Sequence, residues 1–102
     1  METLIANRPV EVNEQGYLLD MDQWDKEIAR QIAFEEEIEL TDRHWEILDY
    51  LRTEEVKGTA LSIRRIGKSG VVGIAEFYKL FPEGPLKKAS RIAGIPKPAS
   101  CI

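Results

Sequence analysis

The sequence predicts a mainly helical α+β protein: an N-terminal β-hairpin packed on a bundle of about five short helices, with an extended flexible C-terminal arm. Three observations lead there. Strand-like alternation is confined to the first twenty residues, apolar residues at helical spacing fill the middle, and two prolines flanking one lysine stiffen the end. The chain of 102 residues fits a single small domain, expected over residues 1–93, with the arm over 94–102.

The hairpin is expected at about 9–19. Pro9-Val10-Glu11-Val12 alternates, Tyr17-Leu18-Leu19 is apolar, and Asn13-Glu14-Gln15-Gly16 between them can turn because Gly16 tolerates a left-handed backbone. Leu4-Ile5 is a candidate for joining it. A lone hairpin is marginal in water, so it must lean on helices.

Asp22 is placed to cap the first helix, in which Trp24, Ile28 and Ile32 recur every four residues. The acidic run Glu35-Glu36-Glu37 opposes the helix dipole and should fray its end. Thr41 is the expected cap of the second helix, with Leu40 and Trp45 as a hydrophobic staple, a stripe of Trp45, Leu48 and Leu51, and Gly58 as its stop. A third helix is expected over about 60–66 and a fourth over about 71–81, which must stop before Pro82. Pro85 suits the first turn of a fifth helix ending at Gly94. Both tryptophans fall on apolar stripes and read as core. His44, the single histidine, reads as a surface or boundary residue.

The net charge is -4, but it is unevenly spread. Residues 1–55 hold sixteen acids against five bases, and residues 56–102 hold two acids against nine bases. Either the halves attract one another within the fold, or the basic half faces an acidic partner or nucleic acid. No apolar run approaches the ~20 residues of a membrane span. The start METLIANRPVEV lacks a basic stretch followed by an apolar one. One cysteine permits no internal disulfide, so the cytoplasm is the expected compartment. One Cys and one His are too few for a metal site, and no Ser-His-Asp set, phosphate loop or dinucleotide fingerprint is present. No cofactor is expected.

The chemistry gathers in Gly94-Ile95-Pro96-Lys97-Pro98-Ala99-Ser100-Cys101-Ile102. Gly94 supplies a bend, and Pro96 and Pro98 hold the chain near polyproline II, able to project roughly 25 Å at ~3.1 Å per residue. Cys101 rides next to the tip. A thiol on a slender arm enters a cleft that a globular surface cannot, which is what sulfur transfer between recessed cysteines demands. Its thiolate is the nucleophile. The terminal carboxylate beside it disfavours the thiolate, and Lys97 and the basic fifth helix with Lys87, Lys88 and Arg91 act in the opposite sense, so the net sign stays open. On the residues alone, the competing reading is a tail cysteine with no role.

The stretches Phe77-Tyr78-Lys79-Leu80-Phe81-Pro82-Glu83-Gly84-Pro85 and Lys88-Ala89-Ser90-Arg91-Ile92-Ala93-Gly94-Ile95-Pro96-Lys97-Pro98, closed by Cys101-Ile102, resemble the DsrC/TusE family of sulfur carriers. The similarity extends more weakly to 10–19, to Asp22-Gln23-Trp24 and to Ile63-Arg64. The resemblance implies the hairpin-on-helices fold with a mobile arm, and a persulfide on Cys101 as the only cofactor-like group. Gly94, Pro96, Lys97 and Pro98 would then build the arm, with Arg91 and Arg64 as electrostatic support. It also implies partners: a sulfur-donor complex, and an acceptor that is a tRNA thiolase. DsrC-type members carry a second cysteine where this chain has Ser90, which favours the single-cysteine TusE-like branch. The middle departs from the family at Thr59-Ala60-Leu61-Ser62 and at 68–74. The alternative is a gamma subunit or regulatory partner of dissimilatory sulfite reductase or sulfur oxidation. A different class, helix-turn-helix DNA binding, has Arg64, Arg65 and Lys68 beside the third and fourth helices. Against it, Val71, Val72, Ile74, Phe77 and Leu80 read as core, so direct nucleic-acid binding is not expected.

Overall fold

The computed structural model describes residues 1–98. Two strands, β1 (Glu2–Ile5) and β2 (Arg8–Glu11), form an antiparallel hairpin, followed by a 3-10 turn (Met21–Gln23) and five helices. These are α1 (Lys26–Glu35), α2 (Asp42–Val56), α3 (Ile63–Lys68), α4 (Ile74–Leu80) and α5 (Pro85–Ala93). No helix among the described residues is long and apolar enough to cross a membrane.

The hairpin forms earlier in the chain than its pattern predicts. β1 pairs with β2 through Thr3 opposite Val10 and Ile5 opposite Arg8. Ala6 and Asn7 both take positive φ, the two-residue turn whose twist matches the strands. Asn favours that backbone but Ala does not, which is why the turn is not legible in the sequence. The expected second pairing survives as a single bridge between Val12 and Leu18. Asn13 closes that turn by accepting from the Gln15 and Tyr17 amides, and Gly16 has φ +85°. Gln23 docks the 3-10 turn on β2, its amide bonding both the N–H and the carbonyl of Glu11.

Helix starts also shift. Asp25, not Asp22, caps α1 by accepting from the Ile28 amide at 3.0 Å, and Asp20 caps the 3-10 turn. Trp24 therefore lies in the extended link before α1 rather than on its apolar stripe. α1 ends within the acidic run as expected, with Glu37 in the left-handed region. Ser62 caps α3, which starts after the expected position, and Gly73 precedes a shortened α4. A Cβ on Gly67 would lie 2.4 Å from Ile74, so that glycine permits the close approach of α3 and α4.

His44 is buried, against expectation. Its Nδ1 accepts from the Thr41 amide at 3.1 Å, which leaves the proton on Nε2 to donate to the Leu80 carbonyl at 2.9 Å. The imidazole stands edge-on to Phe81 and so ties the start of α2 to the end of α4. Val72 and Phe77 are core residues as expected, whereas Ile74 is exposed.

α5 is the central helix, with α1 and α2 packed against it. Pro85, Leu86, Ala89, Ser90, Ile92 and Ala93 of α5 are buried. Leu86, Ala89, Ile92 and Ala93 join Ile28 and Ile32 of α1 and Ile47, Leu48 and Leu51 of α2 in one cluster. Each large side chain so buried contributes about 1.5–3 kcal/mol. The chain following α5 therefore starts from the best-supported element of the molecule.

Candidate functional site

The last four carbonyls of a helix have no partner within it. In α5 all four are satisfied. The Gly94 amide bonds the Arg91 carbonyl and the Ile95 amide bonds the Ser90 carbonyl, the pairing of a Schellman cap, with Gly94 at φ +71°. The other two carbonyls are taken by side chains from elsewhere. The Trp24 indole N–H donates to Ile92 O at 2.8 Å, and Arg52 Nη1 on α2 donates to Ala93 O at 2.8 Å. Arg52 also reaches Met21 O at 3.2 Å and lies 4.1 Å from the centre of the Trp24 ring. A cation at a helix C-terminus is favoured by the dipole. Burial lowers the Arg52 pKa from its ordinary value, and Asp22 and Asp49 oppose that shift.

Gly94 is required twice. Its left-handed backbone suits glycine, and a Cβ there would stand 2.4 Å from Trp24 Cδ1. Ile95, the next residue, is 1% exposed and joins the core. The arm expected to begin at Gly94 is thus rooted through Ile95. Pro96 and Lys97 are exposed and Pro98 is half-buried. Cys101, the expected nucleophile, lies outside the described residues, as does the rest of 99–102.

Arg91 is placed differently from its expected part as electrostatic support of the arm. Its guanidinium donates to Glu36 at 2.7 Å, Glu35 at 3.0 Å and the Gly16 carbonyl at 3.3 Å. The side chain is only 19% exposed, so its charge is spent inside the fold, joining α5 to the end of α1 and to the hairpin turn. Arg64 is exposed on α3, where it lines a shallow cavity of about 440 Å³ with Arg65, Lys68 and Tyr50. It is not among the groups that hold the arm root.

Ser90 is fully buried, and its Oγ is without a hydrogen-bond partner among the described residues. Among those residues no group of three or more His, Cys, Asp or Glu side chains lies close enough to hold a metal ion. Sequence reasoning missed Arg52 altogether; it read Trp24 as core, against which the ring does pack, but not the bond its indole makes to the end of α5. The only signal was Trp24 within the Asp22-Gln23-Trp24 similarity, because the contacts themselves span 31 to 68 residues.

Comparison with known proteins converges on one group. The family model described as DsrC-like protein matches residues 4–102. A Haemophilus influenzae protein named sulfurtransferase TusE homolog is 41% identical over 101 residues, covering 91% of this chain and 93% of the relative. The Escherichia coli sulfurtransferase TusE is 35% identical, covering 97% and 98%. Among solved structures, the oxidized gamma subunit of dissimilatory sulfite reductase from Archaeoglobus fulgidus superposes with a TM-score of 0.80 at 37% identity, covering 100% of both chains.

Proposed function

The chain belongs to the DsrC-like family, and from that premise we propose that it is a sulfurtransferase of the TusE kind, carrying sulfur as a persulfide on Cys101. The observation that carries this reading is the pairing of the chain's single cysteine, next to its C-terminus, with an arm root fixed at Gly94 and Ile95.

The chemistry balances without an external oxidant. The Cys101 thiolate attacks the outer sulfur of a donor persulfide. A sulfur–sulfur bond forms to Cys101, the donor's own sulfur–sulfur bond breaks, and the donor cysteine leaves as thiolate. In discharge an acceptor thiolate attacks the outer sulfur of the Cys101 persulfide and Cys101 leaves as thiolate. Lys97, exposed two residues beyond Ile95, places a cation on the arm. The chain holds no second cysteine, so neither an internal disulfide nor a trisulfide can form. That favours a one-thiol relay over the two-thiol redox work of a sulfite reductase gamma subunit. The donor would be a protein complex with a reactive cysteine and the acceptor a cytoplasmic tRNA thiolase.

Incubation with glutathione persulfide, followed by intact mass measurement, tests the carrier step. A gain of one sulfur atom is expected in the native chain and none in Cys101→Ser. A gain of equal size in the serine variant would refute the role of Cys101. Mixed disulfides trapped on Cys101 in cells then separate the pathways: a tRNA thiolase supports the relay, and sulfite reductase subunits without a thiolase would replace it.

A further inference from the structure

Resting on the reading of Cys101 as the sulfur-bearing residue, we propose that Trp24 and Arg52 are positioning residues for the transfer. By clamping the last two carbonyls of α5 they set the direction in which the arm leaves the domain, and hence where the thiol is delivered.

A helix that merely ends at a surface leaves its final carbonyls to water. Here two side chains from separate elements converge on Ile92 O and Ala93 O, each at 2.8 Å. They brace each other, since the Arg52 guanidinium lies 4.1 Å over the Trp24 ring. Arg52 also ties the clamp to Met21 O in the 3-10 turn. The absent Cβ of Gly94 leaves the indole seated against the backbone where the chain turns. Immediately beyond, Ile95 and Lys97 each precede a proline, which disfavours the helical region for both and carries the root's direction outward. The helix end is thus held by more than its own cap requires, at the one place where a tilt is amplified. Cys101 lies six residues past Ile95, so its reach from that anchor is at most about 22 Å at ~3.6 Å per residue. With that reach as the limit, a root tilt of about 15° shifts the range open to the thiol by at most about 6 Å. This is enough to miss a recessed cysteine while leaving a dissolved reagent unaffected.

The single cysteine gives a direct test, because a nitroxide reagent labels Cys101 without other changes. In the labelled native chain, paramagnetic broadening of backbone amides should be confined to one sector of the surface around the root. In Trp24→Phe, which keeps a ring but loses the indole donor, and in Arg52→Lys, which keeps the charge but not the two-pronged contact, the broadened sector should widen or move. Amide shifts away from 90–98 and from the neighbourhood of residues 24 and 52 should stay native. Transfer from persulfide-charged protein to a protein acceptor trapped on Cys101 should then fall about tenfold in kcat/KM, through lower effective concentration. Charging by glutathione persulfide should be unchanged. A native broadening sector in both folded variants would overturn the clamp, as would broadening spread over the whole surface of the native chain. The broadening experiment needs no sulfur chemistry, so failure of Cys101 to charge at all would sink the carrier reading and leave the clamp to be judged separately.

Discussion

Replacing Gly94 by alanine should damage this protein far more than the same change at Gly58, and the structure says by how much. At Gly94 two costs add. Its φ of +71° puts alanine in the left-handed region, at about 1–2 kcal/mol, partly offset by the lower entropy of the unfolded alanine chain. The new Cβ would also stand 2.4 Å from Trp24 Cδ1 and 2.9 Å from Trp24 Cβ, against the roughly 3.5–4.0 Å of ordinary carbon contact. Trp24 must move, and its bond to Ile92 O and its stack with Arg52 move with it. Overpacking of this kind costs about 1–3 kcal/mol. The sum, about 2–4 kcal/mol, corresponds to a fall in Tm on the order of 10–20 °C for a domain of this size. Gly58 has φ +80°, but nothing lies within 4 Å of the position its Cβ would take, so its alanine variant should carry only the backbone cost of about 1 kcal/mol. Thermal unfolding followed by circular dichroism, with the Trp24 indole proton shift as a local reporter, compares the two. Equal Tm values for the Gly94 and Gly58 variants, with an unmoved indole signal, would refute the seating of Trp24 against the arm root.

Ser90→Ala should raise stability by about 1 kcal/mol in urea titration, because it removes a buried hydroxyl that has no partner among the described residues; a loss instead would mean that the hydroxyl is bonded. Asp25→Ala should cost about 1 kcal/mol as a lost helix cap. The Ile28 amide and Arg8 hold the Asp25 carboxyl below its ordinary value of 3.8, so its contribution is present above that value and lost as the pH falls through the lowered one. The alanine variant should accordingly lose less stability than the native chain on acidification below about pH 4, as read from Tm against pH. Arg91→Gln should destabilise by about 1–3 kcal/mol, since it leaves Glu36, itself largely buried, without its partner. The same variant should leave the salt dependence of protein-to-protein sulfur transfer unchanged, and a flattened dependence would restore Arg91 to a steering role.

Much of the fold was legible because its signals are local. Pro85 and Gly94 mark both ends of α5, Thr41 and Gly58 those of α2, and the acidic run 35–37 the end of α1. What failed was either a choice between neighbouring acids, as with Asp22 and Asp25, or a turn built on an unfavourable residue, as at Ala6. His44 read as a boundary residue because nothing in the sequence shows that Leu80 O and Phe81 meet it from 36 residues away and beyond. The site divides the same way. The thiol, the prolines and Gly94 are visible as composition in one short segment. The clamp is not, because Arg52 and Trp24 become neighbours of α5 only after α2 and the 3-10 turn have packed. A polar residue adjoining an apolar stripe reads as solvent-facing until its partner is known.

The uneven charge can now be divided between the two explanations the sequence left open. Attraction between the halves is real but narrow. Arg91 in the basic half meets Glu35 and Glu36 in the acidic half, while the Arg43–Glu76 pair runs the opposite way, with base from the acidic half and acid from the basic one. Lys57 and Lys88 pair with Glu54 and Glu83 close by in sequence. Among the described residues, Arg64, Arg65, Lys68, Lys79, Lys87 and Lys97 form no ion pair. Internal pairing therefore consumes Arg91, one of the two arginines expected to support the arm electrostatically, and leaves most of the basic half's positive charge on the surface. Those six are the basic half's contribution to any electrostatic guidance of a partner toward the arm. It should weaken with ionic strength over a Debye length of about 8 Å at physiological salt, whereas the hold on the arm root, made of short bonds to carbonyls, should not.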